Sequence, residues 1–180
     1  MTRIIKLVKI VLISILVLAF IFINVPLPIN ITNYAIEIIM SNPYHAEVRA
    51  VNIRGWYRFN IFVGWHSFTG IIEIDGYPET ENELLFSPLR LTPGPPSVRR
   101  GVRMGMLYYS GQQELEAIPD TMVEVLIPEN FGVVYSTPFF RNALILIASN
   151  GVISHSESPM VVINATTREE AMIVARTLLE

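Results

Sequence analysis

The hydrophobic pattern of this chain changes character near residue 45. From Ile10 to Ile23 the sequence is apolar except for Ser14, and Arg3, Lys6 and Lys9 precede the run. Counting on to Ile29 gives about 20 residues, the length a helix needs to cross bilayer hydrocarbon. Lys6 and Lys9 can lay their stems along such a helix and keep their charges in the headgroups. Pro26 and Pro28 withhold the next backbone donors, which predicts a helix end near Asn24 or Val25. This pattern predicts a transmembrane helix over residues 1–28. Its exit, Phe20 to Pro26, offers a signal peptidase no small residues, so it reads as an uncleaved signal anchor. No basic residue follows until Arg49, which predicts a cytoplasmic N-terminus and an extracytoplasmic domain.

Residues 29–44 read as a connector. Ala35, Ile38 and Ile39 share a helical face, predicting a short helix over Asn33–Met40 that lies at the interface or packs on the domain. From Ala46 the period becomes that of strands. Val48, Ala50 and Asn52 would line one face, with Arg49, Val51 and Ile53 on the other. Phe59–Val63 and Phe68–Ile74 flank Gly64-Trp65-His66-Ser67, which predicts a β-hairpin with Trp65 and His66 in its loop. Pro88 divides Leu84–Phe86 from Leu89–Leu91, as at an edge strand or bulge. Residues 92–101 read as a proline-rich loop.

Further strands are expected at Val102–Tyr109, Met122–Ile127, Val133–Tyr135, Asn142–Ala148 and Met160–Ile163. The last element is a helix capped by Thr166 or Thr167, with Glu169 and Glu170 in its first turn. Ala171, Val174, Ala175, Leu178 and Leu179 give it one apolar stripe, which must cover a sheet. The expected fold class is α+β: an N-terminal transmembrane helix, then a mainly antiparallel β domain over 45–180 with a C-terminal packing helix.

Composition sharpens this division. Of 180 residues, 51% are apolar and 16% charged. The first 42 residues hold 28 of the apolar ones and the remaining 138 hold 64, so the body has ordinary soluble-domain composition. A net charge of -3 argues against a nucleic-acid partner. The absence of cysteine removes disulfides, thiolate metal sites and a thiol nucleophile.

The stretch Gly70-Ile71-Ile72-Glu73-Ile74-Asp75-Gly76-Tyr77, the ending Thr166-Thr167-Arg168-Glu169-Glu170-Ala171 and the basic-then-apolar start together resemble small single-pass bacterial proteins of Gram-positive type with no assigned activity. The resemblance spans most of residues 43–180. It implies this architecture and carries no catalytic residue.

Catalytic chemistry has few candidates. The histidines are His45, His66 and His155, none within a helical turn of another, so no local zinc signature exists. Ser154-His155-Ser156-Glu157 offers the residue types of a serine hydrolase, but extended neighbours point to opposite faces. Glu73 and Asp75 would share a strand face as paired carboxylates do, although Asp75 also begins an Asp-Gly turn. A small envelope hydrolase would draw on His66, His155, Glu73 and Asp75, brought together only by folding.

Binding is easier to motivate. Trp56, Tyr57, Phe59, Phe62, Trp65 and Phe68 concentrate rings that either fill a core or, at an exposed Trp65, stack on a sugar or peptide. Arg99, Arg100 and Arg103 form the dense basic cluster, suited to an anionic envelope polymer or a headgroup. The expected function is thus a non-catalytic envelope binding or interaction module without metal or cofactor, using Trp65, Arg99, Arg100 and Arg103. Its expected partners are membrane lipid through the first helix and an envelope polymer or membrane protein. The alternatives are the hydrolase and an accessory subunit of a membrane complex.

Overall fold

The computed structural model describes residues 2–60, 64–81, 84–96, 98–113, 125–149 and 151–179. A first helix, α1 (Thr2–Asn24), is followed at once by strands β1 (Leu27–Ile39), β2 (Asn42–Asn60), β3 (Trp65–Ile74), β4 (Leu89–Pro93), β5 (Arg103–Gln113), β6 (Val125–Ser136), β7 (Ala143–Ile147) and β8 (Met160–Ile163), and by helix α2 (Arg168–Leu179). Each strand pairs antiparallel with its neighbour in sequence, and β8 pairs back onto β1, so the eight strands close a barrel. Closure removes every free sheet edge, β4 included, and answers the edge position expected around Pro88.

Alternation along the strands sorts side chains into two cores. Val51, Ile53, Tyr57, Phe68, Ile72, Leu107, Val134, Ile145 and Val161 point inward and fill the barrel. Eight strands enclose an interior just wide enough for side chains. The other core lies outside, where Ile36, Ile38, Val133, Tyr135, Leu144, Leu146, Met160 and Val162 are covered by Ala171, Ala175 and Leu178 of α2. Strand β7 is buried at all five positions because it has the barrel on one side and α2 on the other. Thr167 caps α2 by accepting the backbone N–H of Glu170 at 3.2 Å, while the Glu170 carboxylate accepts from the backbone N–H and hydroxyl of Thr166.

Several expectations are corrected. No helix among the described residues is long and apolar enough to cross a membrane. The described side chains of α1 are continuous over 6–18, which at 1.5 Å per residue spans about 20 Å against about 30 Å of hydrocarbon, and this stretch includes Lys6 and Lys9. The transmembrane helix over 1–28, the signal anchor and the single-pass placement with an extracytoplasmic body are overturned with it.

The fold class changes accordingly: the sheet is antiparallel with a C-terminal helix, but it is a closed barrel rather than an open layer behind a membrane span. The connector helix over Asn33–Met40 is absent as well. Residues 27–39 are β1, whose residues 35–38 are all buried because one face looks into the barrel and the other under α2. That double burial produces the apolar density that imitates a helical face. Finally, Trp65, His66 and Ser67 belong to β3, paired with Asn60, Phe59 and Arg58, and are not in a hairpin loop. Of the expected segments, residues 61–63 and 122–124 lie outside the described residues.

Candidate functional site

The outside of the barrel is used unevenly. Helix α2 covers the arc from β6 through β8 to β1, whereas the arc from β2 to β5 carries a groove of about 680 Å³. Its walls follow from strand parity. Tyr57, Phe68, Leu89, Leu91 and Leu107 turn inward, so Trp56, Arg58, Trp65, Ser67, Arg90 and Thr92 must turn outward. Met104, Met106 and Tyr108 of β5 form the far wall, and Pro26, between α1 and β1, closes the near end.

The electrostatics of this groove are one-sided. Arg58 and Arg90 line it, and among the described residues no Asp or Glu does. The Arg90 guanidinium lies over the Trp65 ring, 5.4 Å from its centroid, a cation–π contact that holds both side chains in place. Trp56 is 57% exposed, which is costly for so large a ring unless something covers it. The hydroxyls of Ser67, Thr69, Ser87 and Thr92 supply neutral donors and acceptors. The two tryptophans of the groove are the only two in the chain.

Two further polar clusters close the mouths of the barrel. At one mouth Glu37, 3% exposed, faces inward from β1 among apolar neighbours. One carboxylate oxygen pairs with His45 Nε2 at 2.8 Å; the other accepts from Arg49 Nε at 2.8 Å and from the Tyr77 hydroxyl at 2.9 Å. Burial opposes the charge, but the hydrogen bonds from Arg49, His45 and Tyr77 outweigh it and hold the carboxyl below its ordinary pKa. Arg49 also reaches Glu47 at 2.6 Å. The carboxylate is thus fully engaged by three partners, the arrangement of a clamp.

At the opposite mouth the groups are neutral. His66, 5% exposed, has Nδ1 at 2.6 Å from the Tyr57 hydroxyl. Burial, and then the charge of Arg103, depress the imidazole to a pKa of about 4, and burial pushes the Tyr57 phenol up to about 12. With Nδ1 unprotonated, the neutral ring accepts a hydrogen bond from the Tyr57 hydroxyl. Phe59, Phe139 and Phe140 pack edge-on or tilted around Tyr57 with centroids 5.0 to 6.1 Å away. Phe139 and Phe140 hold φ values of 61° and 54°, strained for bulky side chains, and the ring contacts are what retains them.

The residues singled out in the sequence are dispersed by this fold. Trp65 lines the groove. Arg99 and Arg100 sit exposed in the β4–β5 turn and do not line it. Arg103 is directed to the His66 mouth, where it donates to the carbonyl oxygens of Gly64 at 2.9 Å and Leu91 at 3.5 Å.

The proposed hydrolase set does not converge. His66 is interior, His155 is exposed, Glu73 meets Asn52 and Arg54 on the outer face at 3.4 Å, and Asp75 stands in the turn after β3. Among the described residues no group of three or more His, Asp or Glu is placed to hold a metal ion. Sequence reasoning missed Trp56 as an outward residue, and with it Arg58 and Arg90. The signal was present in parity: once Tyr57 and Leu89 are assigned inward, their neighbours must face out. No protein-family model, no curated protein and no solved structure matches this chain.

Proposed function

We propose that this protein is a non-catalytic binding module that seats an acidic glycan in the groove outside β2–β5. The observation that carries this reading is the stacked Trp65–Arg90 pair in a groove that also presents Trp56 and Arg58 and has no carboxylate among its described lining residues. Flat indole faces suit the C–H faces of sugar rings, and guanidinium forks suit the anionic substituents of such polymers. The hydroxyls between them match sugar hydroxyls, which donate and accept alike.

Since both tryptophans of the chain line this groove, intrinsic fluorescence reports on it alone. Titration of the full chain with polygalacturonate, phosphomannan and neutral mannan tests the reading. Either acidic polymer should shift the emission, and neutral mannan should leave it unchanged at the same concentration. Trp56→Ala should weaken binding about thirtyfold, as for a central aromatic anchor. Silence towards both acidic polymers, or an equal response to neutral mannan, would sink the assignment.

A further inference from the structure

The register of the outer face orders the groove more finely. Arg58 of β2 pairs with Ser67 of β3, and Ser67 pairs with Arg90 of β4, so the three residues form one row across three adjacent strands. Neighbouring strands lie about 4.8 Å apart, which puts the two arginines about 10 Å apart at their Cα atoms with the Ser67 hydroxyl between them. Two guanidinium stems can close that span over the serine. The flanks of the row are aromatic. Trp65 precedes Ser67 by two residues on β3, and Trp56, paired with Thr69, lies two residues beyond it on the same outer face. At about 3.3 Å per residue each indole stands about 7 Å along the strands from the row.

We infer that the Arg58–Ser67–Arg90 row is the seat of a phosphate group, carried by a glycan whose sugar rings lie on Trp65 and Trp56 to either side. This rests on the binding reading above and specifies the acid. The argument is one of donors and acceptors. Two forks and a hydroxyl bring about five donors from three strands, one more than the roughly four lone-pair sites of a carboxylate, which also lie in a single plane. A phosphate offers oxygens on several sides, enough for two forks and one hydroxyl at once. Arg58 has no carboxylate partner among the described ion pairs, while Arg90 is already positioned by its contact with Trp65. Beyond Lys9 every basic residue in the chain is arginine, so each cation of the groove is a fork and not a point charge.

The experiment compares phosphomannan with polygalacturonate on the full chain by tryptophan fluorescence, with vesicles containing phosphatidic acid as a separate arm. Phosphomannan should bind about tenfold or more tightly than polygalacturonate, the worth of one extra charge-assisted hydrogen bond. Arg58→Gln and Arg90→Gln should each lose about tenfold for phosphomannan and far less for polygalacturonate, with thermal unfolding of each variant checked against the parent. Ser67→Ala, the mildest change, should lose severalfold on phosphomannan alone.

Polygalacturonate binding as well as phosphomannan would overturn the phosphate seat and leave the acidic-glycan groove standing. No response to either polymer would bring down both. A stronger response to phosphatidic acid vesicles than to phosphomannan would assign the seat to a lipid phosphate and overturn the glycan source.

Discussion

The two mouths of the barrel solve one problem in opposite ways. Each must close an apolar interior against water without leaving a buried polar group unpaired. At the first, a full negative charge on Glu37 is buried and then surrounded by Arg49, His45 and Tyr77. At the second, Tyr57 and His66 satisfy each other as neutral groups beneath Phe59, Phe139 and Phe140. The first depends on a complete partner set, since an ion left alone in a barrel costs several kcal/mol. The second depends on staying uncharged. The charged mouth should therefore fail by mutation, and the neutral one by protonation.

Removing Arg49 should have the largest effect. Arg49→Met keeps most of the stem but leaves Glu37 with only His45 and Tyr77. Breaking a buried pair from one side costs about 3 kcal/mol, the low end of the usual range because the Arg49 side chain is itself 21% exposed. Urea denaturation should show a lowered midpoint with an unchanged slope. The double variant Glu37→Leu/Arg49→Met should recover part of the loss, because it removes the orphaned charge along with its partner. A double variant no more stable than Arg49→Met would mean that Glu37 is not held as described.

Acid should separate the mouths next. The folded-state pKa of His66 is lowered from 6.5 to about 4, so between those values the unfolded chain binds a proton that the folded chain refuses. Stability is therefore complete above about pH 6.5 and falls as the pH drops towards 4, by on the order of 2 kcal/mol. Glu37, held below its ordinary range, contributes stability that is present above that range and lost only as the pH falls through its lowered folded value. The neutral mouth thus loosens first and the charged mouth later. His66→Gln keeps an acceptor for Tyr57 and removes the titration, so its urea midpoint should vary less from pH 6.5 to 4. A profile as steep as that of the parent would show that the slope originates elsewhere.

What the amino-acid order reveals about these regions follows from how local each cause is. Met160–Ile163 and the C-terminal helix are legible because their signals lie within a few residues: a short apolar run, a threonine cap with acids behind it, and a stripe at helical spacing. Barrel closure is not local. It requires residues 35–38 to pair with residues 160–163, and nothing in either run names the other. Glu37 was invisible for the same reason, because its partners are 8, 12 and 40 residues away. The groove was half visible: an aromatic cluster is obvious, but which rings face out depends on where β3 begins. Placing Trp65 and His66 in a loop erased the alternation that sends one outward and the other inward. At the N-terminus, apolarity alone suggested a span that the described helix does not provide.

The finest distinction comes from making the same chemical change at both mouths. Tyr77→Phe and Tyr57→Phe each delete one phenolic oxygen and leave the ring in place. Tyr77 donates to a carboxylate, and hydrogen bonds to charged groups are the stronger kind, so its loss should cost about 1.5 kcal/mol. Tyr57 joins two neutral groups, and its loss should cost about 1 kcal/mol by leaving His66 Nδ1 without its donor. The two variants should also differ with pH. Without the Tyr77 hydroxyl the Glu37 carboxylate is less well stabilised, so its pKa rises and acid unfolding begins at a higher pH. His66 is depressed by burial and by the charge of Arg103, which Tyr57→Phe leaves in place, so the slope between pH 6.5 and 4 should stay that of the parent. Equal losses with parallel pH profiles would dissolve the contrast between the mouths, because a charged clamp and a neutral one would then behave alike.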